Sequence, residues 1–357
     1  MSPVPMSVLA LCAVLGSLFL AFCIVYSMRP SGTSLNLSAW PSPAWLYAQA
    51  ALTLLTKPKS SKTTQSKGRG FKILQVALTK PTPCCPQRLA AFLQLAGFNS
   101  SQGPLPLSYP IVEAFRLVIQ AMLLPDFPFN VLGSVLARNT TTVYRAMTAD
   151  QPLIYSVQID TGACRTTAKG HVEVDLVCQA VSAADGVAVW RSTTTAIILS
   201  SKRGQQPPSS TAGAKAAAKS DAPSGGSQRQ VVVATWQLSS STGRSYGLLN
   251  GDLNPIHLYP ATSRLFGFKR PIAHALFLVA RAEASLRQQG VQPLSYPVSL
   301  TADFKRPTLL PASLQFAWDP PTSAASAMSA GGQGVQFAVL TQDGGKEVLT
   351  GALRPVA

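Results

Sequence analysis

Tyr246 to His257 reads YGLLNGDLNPIH and Leu258 to Leu276 continues LYPATSRLFGFKRPIAHAL, a stretch that holds His257 and His274 out of 3 histidines in the chain. Asp252 and His257 are five positions apart. Between them Asn254-Pro255 is a turn signal that prevents a plain helix across the interval. A tight loop of this kind aims a carboxylate and an imidazole at one point. These two groups are the minimum apparatus for holding and activating a water, since both accept a hydrogen bond from it and one must later deliver a proton. Imidazole titrates near neutral pH and suits either role. The apolar helical pattern that opens at Pro271 supplies a second component. Its first turn is expected to present free N–H groups at Ala273, His274 and Ala275, backed by the helix dipole. Such a site stabilises an oxyanion. The combination points to adding or removing water beside a thioester or similar carbonyl that passes through an enolate.

The elements that must position these groups fall into two similar blocks, 71–202 and 229–357. Each opens with a β-rich run, FKILQVAL from Phe71 and VVVATWQL from Val231. About 40 residues later each has a Pro-Ile step into a helical pattern, PIVEAFRLVIQAML at Pro110 and PIAHALFLVARAEASL at Pro271. Strand-like segments follow in both: LIYSVQID, HVEVDLVCQAV and VAVWRSTTTAIIL, then YPVSLTADF, SLQFAW, VQFAVLTQ and EVLTGALRPV. The shared order reads as a weak internal repeat. One long helix among antiparallel strands is an α+β pattern in which the sheet wraps the helix, and two such units side by side can join sheets like a dimer within one chain. The intervening 203–228, dense in Pro, Gly, Ser and Ala, reads as a flexible linker.

Composition removes other classes. With 46% apolar and 12% charged residues the chain is too hydrophobic for disorder throughout. The net charge of +16 favours anionic partners. No block is both strongly basic and studded with aromatics, so a nucleic-acid reader is not expected. Cys84, Cys85, Cys164 and Cys178 show no C-x-x-C spacing and read as reduced thiols, and no metal cluster is expected. The chain also lacks a G-x-S-x-G elbow, a Walker loop and a G-x-G-x-x-G after a strand. Residues 6–28 form an uncharged apolar run long enough to span a bilayer, read as a single transmembrane anchor. Residues 29–70 carry 6 basic and no acidic side chains and read as a basic linker, placing the C-terminal bulk on the cytoplasmic side.

GDLNPIH followed by GFKRPIAHAL resembles the hydratase motif of the MaoC-like, (R)-specific enoyl-CoA hydratases, and FKRPTLLPASL from Phe304 resembles the strand after the central helix in that family. The resemblance covers 229–357, while the first block matches only in pattern. It implies the hot-dog fold, here as a double hot dog with a non-catalytic first half and a catalytic second half behind the transmembrane helix. It further implies reversible hydration of trans-2-enoyl thioesters to (R)-3-hydroxyacyl thioesters, a hydro-lyase activity in fatty-acid metabolism. Asp252 and His257 would be the catalytic pair, Asn254 and Gly251 would support the loop, and the N–H of Ala275 would be the oxyanion donor. The family generally has Gly where this chain has Ala275, and a smaller residue where it has Asn250. The substrate would travel as a coenzyme A or acyl-carrier-protein thioester, with no metal or redox cofactor. The protein would be a monomer with an internal pseudo-dimer, or a homodimer.

In the first block the segment equivalent to the motif loop, Pro83 to Pro110, has no Asp, Glu or His, and Glu113 aligns by sequence with His274. That half is expected to be silent, either lining an acyl tunnel or acting as scaffold. His171 reads as a strand-end surface residue. His274 either orients the loop, contacts substrate or is simply satisfied at a helix end. Lys269, Arg270, Lys305 and Arg306, in two copies of FKRP, either bind coenzyme A phosphates or are solvated charges. Two other functions stay open: a non-catalytic acyl-thioester binding module and a hot-dog thioesterase.

Overall fold

The structure, a computed structural model, describes residues 32–56, 72–99, 103–129, 134–168, 170–198, 231–321, 323, 327–329 and 331–356. The anchor expected at 6–28 and the linker at 203–228 lie outside these residues. Among the described residues no helix is long and apolar enough to cross a membrane.

Strands β1 (Ser34–Leu37), β2 (Ile73–Leu78), β3 (Val135–Val143), β4 (Leu153–Asp160), β5 (Arg165–Thr166), β6 (Val172–Ser182) and β7 (Ala188–Ile198) belong to the first half. Strands β8 (Val231–Leu238), β9 (Val298–Phe304), β10 (Ala312–Trp318), β11 (Val335–Thr341) and β12 (Glu347–Pro355) belong to the second. All join one sheet in the order β1-β2-β4-β6-β7-β3-β9-β12-β11-β10-β8, with β5 paired to β6 off this path. Omitting β1 and the off-path β5, each half contributes five strands in the same order, mirrored about the β3–β9 seam. The internal repeat is therefore a pseudo-twofold, and the two sheets are joined as the sequence suggested. The alternation is visible in β6, where buried and half-buried residues alternate along its whole length, as a sheet with one face on the core requires. The seam pairs Arg138 with Asp303 and Val143 with Val298.

Each half packs a central helix against its sheet, Pro110–Leu123 in the first and Ala275–Gln288 in the second. The first starts with Pro, whose missing N–H costs nothing there, and stops where Leu124 turns extended (ψ 145) ahead of Pro125. The second corrects the sequence reading. Its helix begins at Ala275, four residues after Pro271, because Pro271–His274 is tied down as extended chain: Ile272 bridges Leu309, Ala273 N–H donates to Thr308 O, and His274 has ψ 132. The FKRPTLLPASL segment is likewise not a strand throughout, since Phe304 ends β9 and Ala312 opens β10.

The expected linker 29–70 also holds regular structure. Beyond β1, which pairs in parallel with β2, Pro43–Thr56 is a helix with Leu46, Gln49, Ala50 and Thr53 buried along one face. That spacing of three and four residues is helical. The reading as linker rested on the basic residues from Lys57 onward, which lie outside the described residues, and overlooked this stripe.

Candidate active site

The motif loop is held between two helices. Thr242–Asn250 lies beneath it and ends at Gly251, whose φ of +80 is a left-handed cap that favours glycine. Gly243 and Gly247, four apart on one face of that helix, let the loop backbone approach closely. A Cβ at Gly243 would stand 2.3 Å from His257 O, and one at Gly247 would stand 2.6 Å from Asp252 O. Asn250 Oδ1 accepts the Asp252 N–H at 2.8 Å. Asn254 caps the short 3-10 turn Pro255–His257, and Arg244 donates to Leu258 O at 2.9 Å. Every one of these contacts fixes backbone on either side of Asp252 and His257.

Asp252, His257 and His274 come together, with one ligand atom from each lying within 4.8 Å of the others. The His257 and His274 rings stack at 3.6 Å between centroids. Asp252 Oδ1 accepts from Tyr47 Oη at 2.8 Å and from Asn254 N at 3.2 Å, and Oδ2 lies 3.2 Å from His274 Nδ1. His274 Nε2 lies 3.0 Å from Gly243 O, which can only accept. Nε2 therefore carries a proton, and one more proton is shared between Nδ1 and the Asp252 carboxylate. Burial alone would raise the Asp252 carboxyl pKa. The hydrogen bond and charge of His274, with the Tyr47 hydrogen bond, outweigh burial and hold it well below the usual carboxylate range.

His257 is 7% exposed and its Nδ1 lies 2.8 Å from Ile272 O, so Nδ1 is the protonated nitrogen. Burial, reinforced by the neighbouring His274 charge, pulls its pKa down to about 3 against the opposing pull of Asp252 and the Ile272 carbonyl. At neutral pH His257 is thus a neutral imidazole with Nε2 as a free base. Asp252 retains a lone pair on Oδ2. The arrangement can bind a water and take its proton. It suits a metal ion poorly, because both nitrogens of His274 and Nδ1 of His257 already face hydrogen-bond acceptors and both Asp252 oxygens already accept hydrogen bonds.

Ala275 is the first residue of its helix, so its N–H has no partner within the helix. Ala273, expected to offer a free N–H, does not, since it donates to Thr308 O. No non-Gly residue among those described has positive φ, so Ala275 carries no backbone strain from replacing a glycine. His274 bridges the loop, through Asp252, to Gly243 O of the helix beneath it. Lys269, Arg270 and Lys305 are exposed at the surface, Lys269 beside a concavity lined by Arg264, Gly267 and Phe268. Arg306 is half-buried and its Nε donates to Glu347 O. These four are not part of the buried cluster. Sequence reasoning missed Tyr47, 205 positions away, for which no local signal exists. It also missed Gly243 and Gly247, whose four-residue spacing was a readable signal of close approach.

The corresponding place in the first half is filled differently. Counted from the helix start, Tyr109 rather than Glu113 stands at the His274 position. Tyr109 Oη donates to Glu113 at 2.6 Å and Arg88 pairs with the other Glu113 oxygen, closing a part-buried ion pair where the second half has Asp252, His257 and His274.

A family model described as a MaoC-like domain matches residues 225–319. The 3-hydroxyacyl-thioester dehydratase X of Mycobacterium tuberculosis is 29% identical over 231 residues, 65% of this chain and 75% of that protein. The crystal structure of HtdX from the same organism is similar with a TM-score of 0.60 and 24% identity, over 80% of this chain and 100% of that one. Another Mycobacterium tuberculosis protein, with a double hot-dog fold, is similar at a TM-score of 0.51 and 10% identity, over 81% and 96% of the two chains. The mirrored sheet and paired central helices described above are that double hot-dog fold.

Proposed function

We propose, from the premise that this chain carries a MaoC-like domain on a double hot-dog fold, that it reversibly hydrates trans-2-enoyl thioesters to (R)-3-hydroxyacyl thioesters. The observation that carries this reading is the meeting of Asp252 with His257, whose Nδ1 faces Ile272 O and leaves Nε2 as a base, near the head of the Ala275–Gln288 helix. The likeness to a 3-hydroxyacyl-thioester dehydratase supports it.

In the hydration direction Asp252 and His257 hold a water, and His257 Nε2 takes its proton as the oxygen attacks C3. Charge moves to the thioester oxygen, where the Ala275 N–H stabilises the enolate. The enolate collapses by taking that proton at C2, so the product gains the hydroxyl at C3 and the hydrogen at C2 and the enzyme returns to its starting state. Dehydration is the reverse. The chemistry requires no metal or redox cofactor. Coenzyme A or an acyl carrier protein bears the acyl chain, and the surface residues Lys269, Arg270 and Lys305 are the candidates for its phosphates, with Arg306 partly engaged elsewhere. The fused halves act as a pseudo-dimer within one chain. Residues 6–28 serve as a single membrane anchor with the enzyme on the cytoplasmic side, a reading supported by their uncharged apolar composition and the basic flank.

The test uses the full chain, because a fragment starting at 71 would lose Tyr47. Mixed with trans-2-enoyl-CoA, the protein should remove the conjugated thioester absorbance without releasing thiol. Asp252→Asn should lower kcat by about 10²–10⁴-fold, the usual worth of acid–base catalysis. Near-wild-type turnover by Asp252→Asn would refute the mechanism, and release of free thiol would make the protein a thioesterase instead.

A further inference from the structure

We propose that Tyr47 is a positioning residue for the Asp252 carboxylate, which makes the helix Pro43–Thr56, ahead of both hot dogs, a working wall of the active site. The inference rests on the hydratase reading above and deepens it.

The geometry is specific. Asp252 is gripped from opposite sides, Tyr47 Oη donating to Oδ1 at 2.8 Å and His274 Nδ1 engaging Oδ2 at 3.2 Å. Two donors on two different oxygens fix the plane of a carboxylate, which a single donor leaves free to rotate. The Asn254 N–H, also on Oδ1, comes from the loop itself and moves with it. Tyr47 is the donor brought from a separate element. Its enclosure, with the Asp252 charge beside it, raises the phenol pKa well above the usual tyrosine value, so it remains a donor across the working pH range.

The helix that carries Tyr47 is seated on the catalytic loop by independent contacts. Pro43 Cγ lies 3.5 Å from where a Cβ on Gly251 would stand, and Arg116 Cγ from the first half's central helix lies 2.7 Å from the same point. The Arg116 guanidinium in turn lies over the Trp40 ring at 4.9 Å. Trp40 also packs on Tyr155 at 5.5 Å. The N-terminal segment, the silent half and the catalytic loop therefore meet at Gly251, the residue before Asp252.

Tyr47 is far from the motif in sequence and absent from the resemblance to the hydratases. Its role is to hold one oxygen of Asp252 so that the remaining lone pair on Oδ2 faces the water. The groups that face Asp252 are Tyr47 from the N-terminal helix, His257 and the Asn254 N–H from the loop, His274 at the head of the second central helix, and Tyr246 from the helix beneath the loop. Removing the phenol hydroxyl frees one oxygen, while His274 keeps the carboxyl ionised well below pH 5, so the deficit should not depend on pH between 5 and 8.

The experiment compares full-length wild type with Tyr47→Phe, which keeps the ring, on trans-2-enoyl-CoA. The expected result is a kcat about 10-fold lower with KM within about twofold, the scale of one charge-assisted hydrogen bond, and a deficit of the same size at pH 5 and pH 8. Each assay is repeated in 1 M sucrose, which restores lost folding stability but cannot restore a lost hydrogen bond. A deficit that sucrose removes would assign Tyr47 a purely structural role and overturn the proposal. So would a kcat within about twofold of wild type at both pH values. Absence of turnover by the wild type itself would instead count against the hydratase reading, and the two failures are thereby separated.

Discussion

His257 offers a direct physical check on the state of the site through His257→Gln. In the folded protein its pKa is pulled down to about 3 by burial and the neighbouring His274 charge, whereas in the unfolded chain it titrates near the ordinary value of about 6.5. Between those limits the unfolded state binds a proton that the folded state refuses. Stability must therefore fall as the pH is lowered through this window, with full stability retained above the unfolded value. From pH 7.5 to pH 4.5 the linkage amounts to about 2.5 kcal/mol for one such group, and the side chain is buried enough that solvent screening removes little of it. Asp252 contributes in another range, because a depressed carboxyl gives stability that is present above its unfolded value and is lost only below it. Urea unfolding of wild type and His257→Gln at pH 7.5, 6.5, 5.5 and 4.5 isolates the difference, since the other histidines and carboxylates are common to both. Wild type should lose about 2.5 kcal/mol more than the variant across this range. Parallel losses would show that His257 is protonated in the folded state, and the assignment of Nε2 as the base would fall with it.

Two further outcomes follow from the same geometry. Gly247→Ala or Gly243→Ala drives a Cβ to 2.6 Å from Asp252 O or 2.3 Å from His257 O, so the loop must shift. Either should cost about 1–3 kcal/mol in unfolding free energy, as overpacking does, and depress kcat at least tenfold, measured by enoyl-CoA hydration; normal activity would show that the loop tolerates displacement. Ala275→Gly should lower stability by up to about 1 kcal/mol through helix propensity while leaving kcat within about threefold, because the donor is the backbone N–H and not the methyl group; a tenfold rise would show that the Cβ obstructs the thioester.

Much of this molecule was legible because its signals are local. The alternation of apolar residues identified most of the strands, and the repetition of strand, helix and strands anticipated a sheet mirrored about one seam. GDLNPIH exposed Asp252, His257 and Asn254 through turn chemistry that acts over a few residues. What escaped was set by tertiary contact. Residues Pro271–His274 have a helix-compatible sequence, but pairing with Thr308–Leu310 holds them extended. Strand β3, rich in Thr and carrying Asn139 hydrogen-bonded to Ser192 and Thr194, lacks the apolar alternation of a core strand because its polar groups satisfy one another. Tyr47 is meaningful only once a helix from the front of the chain has docked beside Asp252.

The first half differs from the second in more than its missing acid and histidine residues. The N–H groups of Leu107 and Ser108 lie just before the Pro110–Leu123 helix. In the first half they donate to Glu283 at 2.8 and 3.0 Å, and Ser108 Oγ adds a third bond at 2.6 Å. Glu283 belongs to the catalytic half's own helix and is 1% exposed, with Arg287 donating to it at 2.9 Å. A buried carboxylate with four donors is adequately compensated, and removing any large part of that set would leave an unpaired charge in the interior. A side chain of the second half thus occupies the turn that leads into the first half's central helix. The same contact ties the catalytic helix to its neighbour, while Arg116 reaches from the first half to Gly251 beside Asp252. The first half thus contributes packing on both sides of the second, through Glu283 at one end and through Gly251 beside Asp252 at the other.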